Sequence, residues 1–468
     1  MKQNLHLSNW LLAIILSLCS AMSAYAATYV SDIGNLKYNL DTESQTAEVR
    51  SKVNSNYLDV VIPATVNYHG ETYKVTAIAR DCFSGCSNMT SITLPESITS
   101  LRDGCFSGCS SLKNVSLPDG MTSIGSSCFY GCKSLTYITL PKTITRLGEE
   151  CFGYCLRLRN ITLPPGITSL GSMCFSGCSS LTSITLPAGL TSLRSMCFSG
   201  CSSLKNITLP DGLTSLGYQC FSGCSSLKNI TLPDGLTSLG SMCFSGCSSL
   251  TSITLPESIT SLGDGCFWKC SSLTSITLPE SITSLGNDCF YGCSSLTSIT
   301  LPESITSLGS MCFSGCSSLT SITLPDGTTS LGDWCFSGCS SLTSITLPES
   351  ITSLGYNCFS GCSSLKSVYV SWNTPLVVSS YAFVALDKSS CTLYVPTGAV
   401  DNYRQADVWK DFKNIAEYNP TGINNAITNS NVKETNRYSA NGQIMETTAR
   451  GMNIVKYSDG SVKKIMVP

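Results

Sequence analysis

The dipeptide Cys-Phe begins at Cys82, Cys105, Cys128, Cys151, Cys174, Cys197, Cys220, Cys243, Cys266, Cys289, Cys312, Cys335 and Cys358, always 23 residues apart. A short fixed period means that each unit is too small to bury its own apolar face, so successive units must stack and share one continuous core. The repeating sequence is well seen in Leu301–Thr323, LPESITSLGSMCFSGCSSLTSIT, and nearly everything from Met89 to Leu365 is that unit rewritten without insertion or deletion. The chain is therefore expected to be an elongated array with short end pieces, not a set of globular domains.

Within one unit the apolar positions are Leu319, Ile322, Leu324, Leu331, Cys335, Phe336 and Cys339. Leu-Thr-Ser-Ile-Thr-Leu alternates with period two over β-branched residues, which predicts a short strand, and Pro325 ends it. Gly332 suits a bend. Cys-Phe-Ser-Gly-Cys sets two cysteines four apart, the spacing of one face of a helical or 3₁₀ turn. Equivalent strands stacked about 4.8 Å apart form a parallel sheet with columns of Leu, Ile and Phe inside. The expected fold class is an α/β repeat solenoid of about 13 coils, with a parallel β-sheet along one face, short helical or 3₁₀ turns, and a cap at each end.

The unit LxxIxLPxxIxxLGxxCFxGCxx resembles the leucine-rich repeat of the BspA-like bacterial surface proteins of mouth and gut anaerobes. The match runs from Val60 to about Tyr418 and includes an entry unit ending Val75-Thr76-Ala77-Ile78 and an exit block Thr392-Leu393-Tyr394-Val395-Pro396, Tyr403, Trp409 and Phe412. The resemblance implies a leucine-rich repeat fold, surface display and adhesion. Family repeats usually carry Ala where this chain has the first Cys of each pair. Two coils also depart at the glycine: Cys151-Phe152-Gly153-Tyr154-Cys155 moves it and Cys266-Phe267-Trp268-Lys269-Cys270 lacks it.

The ends divide by composition. Lys2, the apolar run Trp10 to Leu18 and Ala24-Tyr25-Ala26 have the layout of a secretory leader over residues 1–26. Residues 27–59 read as an N-terminal cap built on a hairpin, 60–370 as the solenoid and 371–418 as a C-terminal cap with a helix from Val400 to Phe412. Residues 419–436 are a polar, Asn-rich linker. In 437–468, Asp459-Gly460 between two β-prone runs signals a hairpin. This tail resembles the sorting signals of the type IX secretion system, which implies outer-surface attachment through it. No segment after the leader reaches membrane-spanning length.

Only 12% of residues are charged and the formal net charge is −2, so the sequence carries no footprint for nucleic acid. Thirteen CxxxC pairs invite a zinc reading, but each pair flanks an inward Phe and the spacing is not the usual CxxC. Disulfides suit an exported protein. Stacked cysteines lie within bridging range, although their Cβ vectors run parallel. The reading adopted is that the cysteines are small buried hydrophobes, with no metal and no cofactor. After the leader one histidine remains, His69, expected in an exposed loop, so a repeated His-based triad is ruled out. No phosphate-loop or dinucleotide motif is present, and a non-enzymatic protein is expected.

The outward strand face is then the candidate contact surface. Residues flanking each buried Ile point out, giving Ser183/Thr185, Asn206/Thr208, Asn229/Thr231, Ser252/Thr254, Ser275/Thr277 and Ser298/Thr300, with Lys113, Arg159, Lys205, Lys228 and Lys366 near one border. Such a face suits multivalent protein binding, and the resemblance implies host extracellular matrix or bacterial surface proteins as the partners. The rival reading is a structural spacer or matrix component without a specific ligand. Stacking of sugars needs exposed aromatics, and this face offers only Tyr137 and Tyr369, which speaks against carbohydrate binding by stacking.

Overall fold

The computed structural model describes residues 28–52, 58–419, 434–439, 451–457 and 462–467. The expected leader and most of the expected linker lie outside them. The array is a parallel β-solenoid whose coils are joined along three sides. The first ladder is the expected one: Ser252–Thr254 pairs in parallel register with Ser275–Thr277, and Ser183–Thr185 with Asn206–Thr208. A second ladder, which the period-two pattern does not announce, joins the Ser-Leu dipeptides, as in Ser192–Leu193 with Ser215–Leu216 and Ser330–Leu331 with Ser353–Leu354. The third side is the cysteine segment, where the Phe106 N–H donates to Cys128 O at 2.9 Å and the Gly85 N–H to Ser107 O at 2.7 Å.

That third side is turn, not helix. Hydrogen bonds of i→i+3 span do recur, as from the Cys247 N–H to Phe244 O at 3.1 Å. Two left-handed residues per coil stop them from propagating, for example Met242 at φ 55° and Gly246 at φ 70°. In the two departing coils Tyr154 and Lys269 take up the glycine conformation at φ 56° and 53°. Gly332 serves a different purpose from the expected bend: a Cβ there would lie 2.4 Å from Ser310 N in the preceding coil, so the glycine permits close approach of two backbones.

Along the axis runs a column of fourteen phenylalanines from Phe83 to Phe383, with neighbouring ring centroids 5.4–5.7 Å apart and nearly parallel planes. The stack extends one coil beyond the last Cys-Phe, because Ala382-Phe383-Val384-Ala385-Leu386 replaces the cysteine segment and Ala385 supplies the left-handed residue at φ 62°. The Leu and Ile columns are buried around it.

At the N-terminal end Leu36–Asp41 pairs antiparallel with Thr46–Lys52, burying Leu36, Tyr38, Leu40, Ala47 and Val49. Thr46–Lys52 then pairs in parallel with Glu71–Ile78, whose Ile78 meets Leu101, so the hairpin covers the open end of the second ladder. Arg102, where most coils have Gly, pairs with Glu48 of that cap at 3.0 Å. At the other end Thr392–Pro396 continues the first ladder from Ser367–Val370. The expected helix over 400–412 is shorter: Val400–Gln405 is helical, Ala406 is extended, Val408 sits at φ 70° and Trp409–Asp411 is a 3₁₀ turn. The break lets Trp409 pack edge-on against Phe383 and donate its indole N–H to Leu376 O at 2.8 Å.

A separate unit, divided from the array at Glu417, contains a three-stranded antiparallel sheet of Glu434–Ser439, Gly451–Tyr457 and Val462–Val467.

One core position breaks the pattern. Thr328 stands where the adjacent coils have Ile305 and Ile351, is fully buried, and its hydroxyl has no hydrogen-bond partner. An unsatisfied buried hydroxyl costs about 1–3 kcal/mol. Thr328→Ile should stabilise the array by about that amount in urea unfolding. A destabilised variant would show that the site is shaped for the smaller side chain.

Candidate functional site

The outward surface of the first ladder is built by strand alternation. Ile184, Ile207, Ile230, Ile253, Ile276 and Ile299 are buried, and both flanking residues of each are exposed. The structure thus sets Ser183, Thr185, Asn206, Thr208, Asn229, Thr231, Ser252, Thr254, Ser275, Thr277, Ser298 and Thr300 on one surface. Their backbones stack in register, Ser252 over Ser275 and Thr254 over Thr277, with isolated bridges carrying Thr231 and Thr300. Among the described residues, none of these twelve side chains makes an intrachain hydrogen bond.

A third column, absent from the sequence reading, completes the surface. Thr251, Thr274, Thr297, Thr320 and Thr343 precede the serines, and each hydroxyl from Thr274 onward donates to the carbonyl of its predecessor in the coil before, at 3.1–3.4 Å. These hydroxyls are occupied, so the column stiffens the face instead of offering donors. Its signal was the same 23-residue recurrence. Farther along, Tyr369 and Tyr394 stack at 4.4 Å with planes 9° apart, which engages Tyr369 with its neighbour. Tyr137 stands 56% exposed.

The cysteines face inward. All 27 in the described residues are buried thiols without S–S bonds. The second of each pair has a defined polar contact: Cys247 Sγ–H donates to Phe221 O at 3.2 Å, and Cys270 Sγ–H to Phe244 O at 3.1 Å, and so along the array. The thiol is therefore a weak donor to a buried carbonyl of the preceding coil as well as a small hydrophobe. Burial pushes Cys132, Cys178, Cys224 and Cys293 up to about 12. Metal binding and nucleophilic attack both need the thiolate, which such burial disfavours.

His69 is exposed at φ 47° and with Gly70 at φ 88° forms the two-residue turn joining Thr65–Tyr68 to Glu71–Ile78. It belongs to a hairpin tip, beside Tyr68 at 4.1 Å.

The comparisons with known proteins agree with this architecture. The family model of the BspA type leucine rich repeat region matches in six copies across residues 76–204, 191–295 and 283–395. A leucine-rich repeat protein from Bacteroides ovatus ATCC 8483 is 33% identical, over 73% of this chain and 95% of its own, with a TM-score of 0.62. A leucine rich cell surface protein from Faecalibacterium prausnitzii A2-165 is 27% identical, over 74% of this chain and 95% of its own, with a TM-score of 0.53. No curated protein matches the sequence. The chain belongs to the BspA-type leucine-rich repeat family.

The thiols generate a pH dependence whose sign is fixed. The folded chain keeps protons that the unfolded chain releases above about 9, so this stabilisation is complete below pH 9 and falls as pH rises toward 12. Alkaline titration followed by circular dichroism should show unfolding within that window. Stability unchanged to pH 12 would contradict the burial. At neutral pH few thiols should react with an aromatic disulfide reagent before denaturation, and 27 should react after it in a chain starting at Ala27.

Proposed function

We propose that this chain is an exported surface protein that adheres to host extracellular matrix or bacterial surface proteins through the Ser/Thr-rich strand face. The observation that carries the reading is that twelve exposed hydroxyl and carboxamide side chains stand in register on that face without intrachain partners. A rigid array of this kind can meet an extended partner at many weak points, where the sum of contacts sets the affinity. Family membership supports protein binding as the general role, and the Faecalibacterium relative is described as a cell surface protein. Export would begin with residues 1–26, and residues 437–468 would provide attachment by the type IX route. No helix in the described residues is long and apolar enough to cross a membrane.

Replacing Ser252, Thr254, Ser275 and Thr277 together with Lys places four cations on two adjacent coils. Exposed substitutions of this kind change stability by roughly 0.5 kcal/mol or less each. Binding of the variant to immobilised matrix proteins and bacterial surface extracts should therefore fall by at least about tenfold through desolvation and repulsion, while the fold persists. Unchanged binding would move the contact to another side of the coil. If the parent chain binds none of these proteins but self-associates with rising concentration, the spacer reading replaces this one.

A further inference from the structure

Charge is distributed unevenly along the solenoid. Residues 102–228 hold ten Lys or Arg and five Asp or Glu, whereas residues 229–365 hold one and nine. On the strand face of the first half, four of the cations form a pattern. Lys113, Arg159, Lys205 and Lys228 occupy the position that is Thr in the coils between them and in the five coils from Thr251 to Thr343, and each is followed by Asn: Asn114, Asn160, Asn206 and Asn229. Coils with Thr at the first position carry Ser or Tyr at the second. In this half the cation and the carboxamide occur together, even in the coils of Lys113 and Arg159, whose other residues differ from those of Lys205 and Lys228, whereas Lys366 of the last coil is followed by Ser367.

The geometry makes these doublets a ruler. The Lys113 N–H donates to Thr90 O at 3.1 Å, Arg159 to Thr136 O at 3.2 Å and Lys205 to Thr182 O at 3.2 Å, so their backbones form one continuous ladder. Lys113, Arg159 and Lys205 are two coils apart, roughly 10 Å each time, and Lys228 follows one coil later, for a span of roughly 24 Å. All eight doublet side chains are exposed, and none of the four cations has an ion-pair partner among the described residues. The carboxylates on this face, Asp119, Asp211 and Asp234, come six residues further along the chain, past the strand's end. Between the first two doublets lies Tyr137, in register with Asn160. It borders a shallow depression of about 740 Å³ lined also by Asn114, Ser116, Thr139, Lys142 and one carboxylate, Asp119.

We infer that this half of the strand face binds an extended sulfated polysaccharide, with the four Lys/Arg–Asn doublets taking sulfate and hydroxyl groups and Tyr137 packing against a sugar ring. The inference rests on the reading of the strand face as the contact surface and adds a ligand class to it. One cation per two coils suits a chain with one anionic repeat per two rings. A nucleic-acid duplex, with a charge every 1.7 Å or so, would face far too sparse a row. Asn donates and accepts, as sugar hydroxyls require, and a tyrosine ring offers an apolar face to sugar C–H groups.

The test uses the mature chain with heparin oligosaccharides, desulfated heparin, a poly-glutamate peptide and single-stranded DNA as probes in titration calorimetry. The face variant Lys113→Thr/Arg159→Thr/Lys205→Thr/Lys228→Thr takes the residue its neighbouring coils carry, so the coil geometry is preserved. A charge-matched control, Lys133→Ser/Arg146→Ser/Arg157→Ser/Arg194→Gly, also uses residues found at those positions in other coils. Heparin should bind the parent and the control, lose at least about tenfold in affinity for the face variant with a shallower salt dependence, and bind more weakly once desulfated. Tyr137→Ser should lower affinity without altering the salt slope. Absence of heparin binding at low salt, an equal loss in the control, equal binding of desulfated heparin, or equal or tighter binding of poly-glutamate or DNA would each overturn the inference. The lysine substitutions at Ser252 to Thr277 should leave heparin binding intact or strengthen it, so a failure here and a failure of protein adhesion are read separately.

Discussion

The flat contact between one phenylalanine ring and the ring of the next coil is the interaction around which the other features are arranged. It recurs at 5.4–5.7 Å from Phe83 to Phe383, so the rings stack with an offset within the rise of about 4.8 Å that the hydrogen-bonded ladders keep. At that rise the backbones on all three sides are within hydrogen-bonding distance, and the positions that cannot carry a side chain follow. A Cβ on Gly355 would lie 2.3 Å from the carbonyl carbon of Gly332, which explains why Gly recurs after the Ser-Leu dipeptide in most coils. The cysteines fit the same logic, since a larger residue would displace the ring and an alanine would leave the phenylalanine carbonyl without its Sγ–H donor.

A core this uniform separates inside from outside. Residues that hold the coils together hardly vary along the array, whereas exposed positions of the same strands change from Lys-Asn to Thr-Ser without disturbing the backbone register. Surface chemistry can therefore be written on the array one coil at a time. The family's general role in protein binding and the proposed polysaccharide contact would share the coils of Asn206 and Asn229 and extend from there in opposite directions, the first toward the hydroxyl-rich coils and the second toward the basic ones.

Much of this was legible in the sequence because one period carries both the fold and the face. The 23-residue spacing gave the solenoid, and the alternation around Ile253 and Ile276 gave the exposed columns. What the sequence concealed depends on contacts between coils. A two-residue ladder such as Ser215–Leu216 is too short to show alternation, and the need for Gly332 appears only when the preceding backbone is beside it. The helix expected across 400–412 looked continuous because its apolar residues suit a helical face. The left-handed Val408 breaks it so that Trp409 can close the end of the phenylalanine column. The thiol-to-carbonyl bonds were hidden for the same reason, since donor and acceptor lie 26 residues apart.

If stacking couples each coil only to its neighbours, damage should stay local. The most direct measurement is amide hydrogen exchange, read by mass spectrometry, on Phe244→Ala, which removes one ring from the middle of the column at a cost of about 3–5 kcal/mol. Exchange should accelerate in the coils containing Phe221, Phe244 and Phe267 and return to parent rates toward both ends. An equal loss of protection from Cys82 to Cys391 would mean that the array unfolds as one unit, and would contradict the account.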